Sequence, residues 1–100
     1  MRWTTARRAL PSVLAHSVLV AAVSVPANIV EGYLRRLPRE KARFYNIAEG
    51  SAAELRYFFM LARRLGYLAG PTPLPGLLEE VSRMLRALVN ATLSGRFPAP

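Results

Sequence analysis

The sequence predicts an all-α protein of one domain, residues 1–100, in which three long helices form an antiparallel bundle. Through most of the chain, apolar residues recur at steps of three and four, which is the period of an amphipathic helix. The strongest helix-breaking signals occur at two interior places, around Pro38 and across residues 66–76. No stretch alternates apolar and polar residues as a strand does, so we expect no sheet.

The first helix is predicted over residues 12–36. Its apolar positions at helical spacing are Leu14, Val18, Ala21, Val25, Ile29 and Gly32 or Tyr33. Pro26 lies inside this helix and should bend it, because an interior proline removes a backbone hydrogen bond at a cost of about 3 kcal/mol. We therefore expect tertiary contacts to hold the bend in place.

The second and third helices are predicted over residues 38–65 and 75–94. Pro38 suits the first helical position, where its missing N–H is not needed, and Gly66 is the stop signal of the second helix. The positions expected to face inward are Phe44, Ile47 or Ala48, Ser51, Leu55, Phe58, Leu61 or Ala62 and Leu65 in the second helix, and Leu77 or Leu78, Val81, Met84 or Leu85, Leu88 and Thr92 in the third.

The charge of the chain is strongly positive. Thirteen Arg and one Lys stand against six Glu, which gives a net charge of +8 on 100 residues. A polyanion such as RNA or DNA is therefore an expected partner. A genome rich in G and C also favours Arg, and this alternative explains the Arg excess equally well. Cys is absent, so disulfides and thiolate chemistry are excluded.

A basic segment at the first helix junction is the candidate nucleic-acid site. Its five cations within nine positions are Arg35, Arg36, Arg39, Lys41 and Arg43. The start of the second helix adds unpaired N–H groups and the positive end of the helix dipole. An anion is therefore attracted both by the cationic side chains and by the helix N-terminus. The candidate cations that would extend this strip along the second helix are Arg56, Arg63 and Arg64. A solvated turn with no ligand is the alternative interpretation.

The segment NIVEG at residues 28–32 recurs as NIAEG at residues 46–50. In a hairpin centred on Leu37, the two copies become facing patches, with Asn28 level with Asn46 and Glu31 beside Arg43. We interpret the segments as packing motifs that fix helix register, because glycine inside a helix permits close backbone approach. The residues to which we assign this structural or interface role are Pro26, Asn28, Glu31, Gly32, Asn46, Glu49 and Gly50.

Enzymatic chemistry has little support in the sequence. A carboxylate pair made of Glu31 and Glu49 is weak, since Glu31 has Arg43 as an expected neighbour and Glu49 lies about five turns away. The one histidine, His16, has no Cys, Asp or second His with which to share a metal ion. We expect a protein that is not an enzyme and that holds neither metal nor cofactor.

The N-terminal segment, residues 1–27, has the outline of a signal peptide, with a basic start, an apolar run and small residues around Pro26. The apolar pattern continues past Pro26 without a change in character, which argues against cleavage. The run is interrupted by His16 and Ser17, and it is shorter than the roughly 20 residues of a membrane span. We expect a cytoplasmic protein with no membrane partner, and export is the alternative.

Three segments carry a family resemblance: AAVSVPANIVEGY (21–33), FYNIAEGSAAELRYFFMLARRLGYL (44–68) and LLEEVSRMLRALV (77–89). They resemble the bacterial four helix bundle proteins, also called the 23S rRNA intervening-sequence family, which includes the accessory variability proteins of diversity-generating retroelements. The resemblance implies a four-helix protomer, a homopentamer with a basic surface and, in the retroelement branch, work with a reverse transcriptase and its RNA.

Two departures from that family pattern affect the expected fold. Family members have a complete helix before the S-V-P-A-N segment, whereas this chain has about ten residues there, so we expect three long helices and a short N-terminal stub. The basic pair usual before A-A-V-S is replaced by Leu19 and Val20. The added apolar surface needs a cover, such as a neighbouring chain.

Two functional hypotheses follow. The first is a non-enzymatic, oligomeric helical bundle that binds nucleic acid or a nucleoprotein through its Arg-rich surface, as an accessory protein to a reverse transcriptase in one version. The second is a structural or protein-binding scaffold with no role in nucleic-acid binding.

Overall fold

The computed structural model describes the backbone of residues 3–95 and the side chains of residues 8–95. Three helices account for most of this part of the chain: α1, Trp3–Leu34; α2, Pro38–Arg64; and α3, Leu74–Leu93. No strand occurs within residues 3–95. The expected all-α class is therefore confirmed, and Pro38 is the first residue of α2 as its missing N–H predicts.

The three helices form an open layer with α2 in the middle. Both α1 and α3 pack against α2, and they make no close backbone contact with each other. The layer measures 54 × 27 × 14 Å, and its radius of gyration is 16.7 Å, against about 13 Å for a compact chain of this length. An open layer of this kind leaves much of each flanking helix uncovered.

The best-buried part of the layer is the stripe of α2 that lies between its two neighbours. Ala48 and Ala52 are completely buried there, and such small side chains let helices approach closely. Leu55 contributes to a cluster with Ala21 of α1 and Leu78 of α3. Among residues 8–95 no large side chain is fully buried, so one copy of the chain lacks an enclosed core.

Helix α1 begins at Trp3, so the prediction of a start near residue 12 after a short stub is wrong. The helix continues through Pro11 and Pro26 without a break. Both prolines occupy exposed positions. A carbonyl freed by proline on an exposed side can hydrogen bond to water, which lowers the cost of continuing the helix.

The end of α1 is held by a buried lysine from α2. The Lys41 ammonium donates hydrogen bonds to the carbonyl oxygen of Tyr33, at 2.8 Å, and to that of Gly32, at 3.4 Å. These carbonyls lie in the last turn of α1, where the helix dipole is negative and a cation is stabilising. Lys41 therefore fixes the tight connection between α1 and α2.

The two NI(V/A)EG copies do not face each other as patches, so that prediction is wrong. Asn28 bonds to Ser24 within α1, and the Ser24 hydroxyl pairs with that of Ser51 on α2 at 2.7 Å. Asn46 is exposed and lines a groove between α2 and α3 instead. The hairpin sets which residues are level along the axes, but not the direction in which each side chain points around its helix.

The glycines of the two copies also differ. A Cβ atom added to Gly32 would lie 2.6 Å from Cε1 of Tyr45, whereas one added to Gly50 would meet nothing within 4 Å. Gly32 therefore permits close packing of α1 on α2, as predicted. Gly50 lies on the exposed side of α2, and its role as a packing residue within one chain is not supported.

Candidate nucleic-acid interface

The junction between α1 and α2 presents three exposed arginines, Arg36, Arg39 and Arg43. None of the three forms an ion pair with a residue in the described part of the chain. We call these three residues the basic turn. No side chain caps the start of α2, so its first N–H groups add positive potential beside the same arginines.

The other two cations predicted for this site are engaged inside the protein. Lys41 is 8% exposed and its ammonium is used on the α1 carbonyls, so it is not available to phosphate. Arg35 forms an ion pair with Glu31 one turn earlier. The predicted pairing of Glu31 with Arg43 is wrong. Arg35 is the partner because residues four apart lie on the same side of a helix.

Phe44 contacts Arg43 of the basic turn and also the neighbouring Arg35, a role that the sequence interpretation missed. The guanidinium of Arg35 lies over its ring at 5.0 Å from the centroid, and that of Arg43 lies at 5.7 Å. Contacts of this kind hold an arginine without neutralising its charge. The signal available in the sequence was an aromatic residue directly after Arg43 in a segment rich in arginine.

The predicted basic strip along α2 is interrupted. Arg56 pairs with Glu79 of α3 at 3.2 Å, which places it at a helix contact. Arg63 and Arg64 are exposed, but they lie 20 residues beyond Arg43, which corresponds to about 30 Å along the helix. The unpaired cations of α2 therefore form two groups, one near each end of the helix.

Glutamates neutralise the arginines in the middle of the layer. Glu49 of the second repeat copy forms an ion pair with Arg86 of α3 at 3.2 Å, and Glu79 approaches Arg83 as well as Arg56. Glu49 thus links α2 to α3, which supports its predicted structural role. Because Glu49 and Glu79 pair with the arginines in the middle of the layer, the unpaired arginines of α2 lie near its two ends.

An apolar groove opens between α1 and α3 where the two helices fail to meet. It has a volume of about 930 Å³ and is lined by Ile29 of α1 and by α3 residues that include Met84 and Leu88. Met84 is 63% exposed. Exposed apolar surface of this kind is a candidate site for contact with another protein, a ligand or a membrane.

Helix α1 is apolar on all sides and is covered mainly by α2. Residues 9–30 contain no Asp, Glu, Lys or Arg, and Leu19, Val23 and Val30 are each more than half exposed. Within the described residues one segment, Arg8–Leu34, is long and apolar enough to cross a membrane. Only 11% of its apolar 18-residue stretch is buried in the fold. The length argument against a span is therefore too strict, although soluble core helices and signal sequences meet the same criteria.

Comparison with protein families gives a match over residues 6–87 to the 23S rRNA-intervening sequence proteins. The chain belongs to this family. The match includes most of α1, all of α2 and most of α3, so it contains both repeat copies and the basic turn. No curated protein and no solved structure matches the chain.

The structure gives a physical account of the S-V-P-A-N segment in this 23S rRNA-intervening sequence protein. Asn28 donates to the carbonyl oxygen and the hydroxyl of Ser24, and this turn of α1 contains Pro26. The Ser24 hydroxyl then bonds to Ser51, which directly follows the second copy. The segment is a polar connection between two helices, and the sequence interpretation missed the part of Ser24 in it.

The acidic side chains and the histidine of this part of the chain lie apart or are paired with arginines. Residues 8–95 hold no group of three His or Glu side chains close enough to bind a metal ion together. Glu31 and Glu49 are each committed to an arginine, Arg35 and Arg86 respectively. The main surface features of this family member are its exposed arginines near the ends of α2 and its exposed apolar side chains.

Proposed function

We propose that this 23S rRNA-intervening sequence protein is a non-enzymatic, oligomeric helical bundle that binds RNA, or a ribonucleoprotein, through the basic turn. The observation that carries the proposal is the set of three exposed, unpaired arginines beside the uncapped start of α2. One guanidinium group can donate hydrogen bonds to two phosphate oxygens at once, and helix N-termini add N–H donors. The family name, which refers to ribosomal RNA, supports RNA as the polyanion.

Assembly is part of the same proposal. Short connections, with contacts from Tyr33 to Lys41 and from Glu79 to Arg56, support an antiparallel order of the three helices. The groove between α1 and α3 then corresponds to the place of a fourth helix in a closed bundle. Packing of further copies against α1 and this groove would cover the apolar surface and repeat the basic turn around an oligomer, a pentamer by family resemblance.

The test compares two triple variants that remove the same charge. In the turn variant, Arg36, Arg39 and Arg43 are changed to Gln; in the control, the same change is made at Arg56, Arg83 and Arg86, which are paired within the layer. RNA affinity is measured by fluorescence anisotropy across a salt series.

The slope of log K against log salt should fall by about 2 to 3 in the turn variant, because each lost phosphate contact removes about 0.7 to 0.9 from it. The control should retain most of the wild-type slope. An equal fall in slope for both variants would mean that net charge, and not the basic turn, governs binding. A wild-type affinity that does not change with salt concentration would refute the proposal.

A protein-binding scaffold is the second candidate function, and the apolar groove between α1 and α3 favours it. A reverse transcriptase is one partner that the family resemblance suggests. Co-purification of a partner protein that survives nuclease treatment would support the scaffold. Light scattering with and without RNA separates the two candidates, since it reports the subunit number and the bound RNA together.

We place the protein in the cytoplasm and off the membrane, with the apolar sides of α1 covered by other copies. Extraction tests this placement, because a membrane-spanning α1 would require detergent, whereas a covered α1 would leave the protein in the soluble fraction. Intact mass of the native product tests export, since removal of residues 1–27 would be visible directly.

A further inference from the structure

A second concave site lies at the far end of α2 from the basic turn. It is enclosed by the end of α2, the connection to α3 and the start of α3, and its volume is about 420 Å³, within the range of small-ligand pockets. Its lining includes Tyr57, Phe59, Met60 and Leu68. Tyr57 is 53% exposed, so about half of this aromatic residue is accessible to a ligand.

The cations at this pocket favour an anionic ligand. Arg56 and Arg63 both line it. Arg56 is paired with Glu79, whereas Arg63 is exposed and forms no ion pair with any residue from 8 to 95. The lining therefore combines an unpaired guanidinium with aromatic and thioether side chains. A planar apolar group attached to a phosphate matches this combination.

Local hydrogen bonds order the connection beside the pocket. Gly66 takes a positive φ of 85° and ends α2, with the amide of Tyr67 bonded to the carbonyl of Ala62. Thr72 accepts a hydrogen bond from the amide of Leu74 at 3.3 Å, which orders the start of α3. Order of this kind lowers the conformational entropy that the connection would lose when a ligand binds.

We propose that this pocket binds one unpaired base of an RNA strand, with the base stacked on Tyr57 and an adjacent phosphate at Arg63. This inference rests on the proposed function, since it adds base recognition at the far end of α2 to phosphate binding at the basic turn. Stacking on an aromatic side chain requires an accessible ring face, and every base has a suitable π surface. The protein should therefore prefer single strands over duplexes without strong sequence preference.

The experiment measures binding of the full chain to a 12-nucleotide oligouridylate and to the same strand with abasic riboses. Tyr57→Ala should weaken binding to the base-containing strand at least about 5-fold, the lower end of the contribution of one stacked base. Binding to the abasic strand should not change, and Tyr57→Trp should retain the wild-type affinity. Tyr67→Ala is the matched control, because Tyr67 is 40% exposed nearby and does not line the pocket.

Two results would overturn the proposal that the pocket binds a base. One is an effect of Tyr57→Ala on affinity no larger than that of Tyr67→Ala, and the other is an equal loss of affinity for the base-containing and the abasic strand. NMR with adenosine monophosphate and ribose 5-phosphate distinguishes failure of the pocket proposal from failure of the proposal that the basic turn binds RNA. Line broadening of the base protons by wild type and by the turn variant, but not by Tyr57→Ala, would support the pocket even if the oligonucleotide does not bind. Absence of broadening with wild type would overturn it while leaving phosphate binding at the basic turn intact.

Discussion

The two glycines of the repeated segment provide a matched pair for testing the packing of α1 on α2. Alanine in place of glycine inside a helix is favourable by about 1 kcal/mol when nothing opposes it. At Gly50 an added Cβ meets nothing within 4 Å, so Gly50→Ala should stabilise the fold by about that amount. At Gly32 the same Cβ would lie 2.6 and 2.9 Å from two carbons of the Tyr45 ring and 3.2 Å from the Lys41 carbonyl oxygen.

The Tyr45 ring cannot simply swing aside, because it is 5% exposed and packs with Ala42 and Val89. Forced overpacking of this kind costs about 1–3 kcal/mol. Gly32→Ala should therefore be less stable than Gly50→Ala by about 1–3 kcal/mol, and each kcal/mol corresponds to about 4–8 °C in Tm for a domain of this size.

Thermal unfolding followed by circular dichroism, at several protein concentrations, measures the difference between the variants. The concentration series is needed because assembly would make Tm depend on concentration. Equal Tm values for Gly32→Ala and Gly50→Ala would refute the packing argument. In a Tyr45→Leu background the ring is removed, so Gly32→Ala should lose most of its cost.

Two further predictions concern buried groups at the same helix contact. Lys41→Met should destabilise the fold by about 1–3 kcal/mol, because two carbonyls at the end of α1 lose their donor, while RNA affinity of the folded fraction stays near wild type; denaturant titration and anisotropy measure the two effects. Burial, and next the negative charge of a nearby ionised Tyr33, raise the pKa of Tyr45 above its ordinary value of 10.0. The neutral phenol is favoured in the fold, so its contribution to stability is complete below pH 10 and is lost as pH rises through the folded pKa; urea titrations from pH 8 to 11 should show a smaller fall for Tyr45→Phe.

The sequence predicted the elements whose signals are local. The start of α2 at Pro38 and its end before Gly66 follow from backbone chemistry at single positions, and the structure has both. The start of α1 could not be predicted in the same way. Pro11 resembles a boundary, and its exposed position, which makes it tolerable inside the helix, depends on where α2 packs.

The site was harder to predict than the helices, because it depends on how the helices are rotated against each other. Lys41 and Arg43 are two residues apart in one basic segment, yet Lys41 is buried under α1 and Arg43 is exposed. Spacing alone assigns the Tyr57-Phe58-Phe59 run mostly to the core, whereas in the structure Tyr57 is 53% exposed and lines a pocket together with Leu68. Periodicity identifies the faces of a helix, but not the neighbour that each face meets.

The distribution of exposed apolar residues bears on what covers the layer. If a membrane were the cover, exposed apolar side chains should be concentrated on the candidate span and the other helices should be polar on their free sides. Ile47 of α2 and Leu77, Met84 and Leu93 of α3 are between 40% and 63% exposed, however, and they lie outside that span. Arginines and glutamates separate several of these positions along α3, a pattern that suits a protein surface with a polar rim. We therefore propose that other protein chains cover the apolar surface of all three helices, because insertion of α1 alone would leave α3 uncovered.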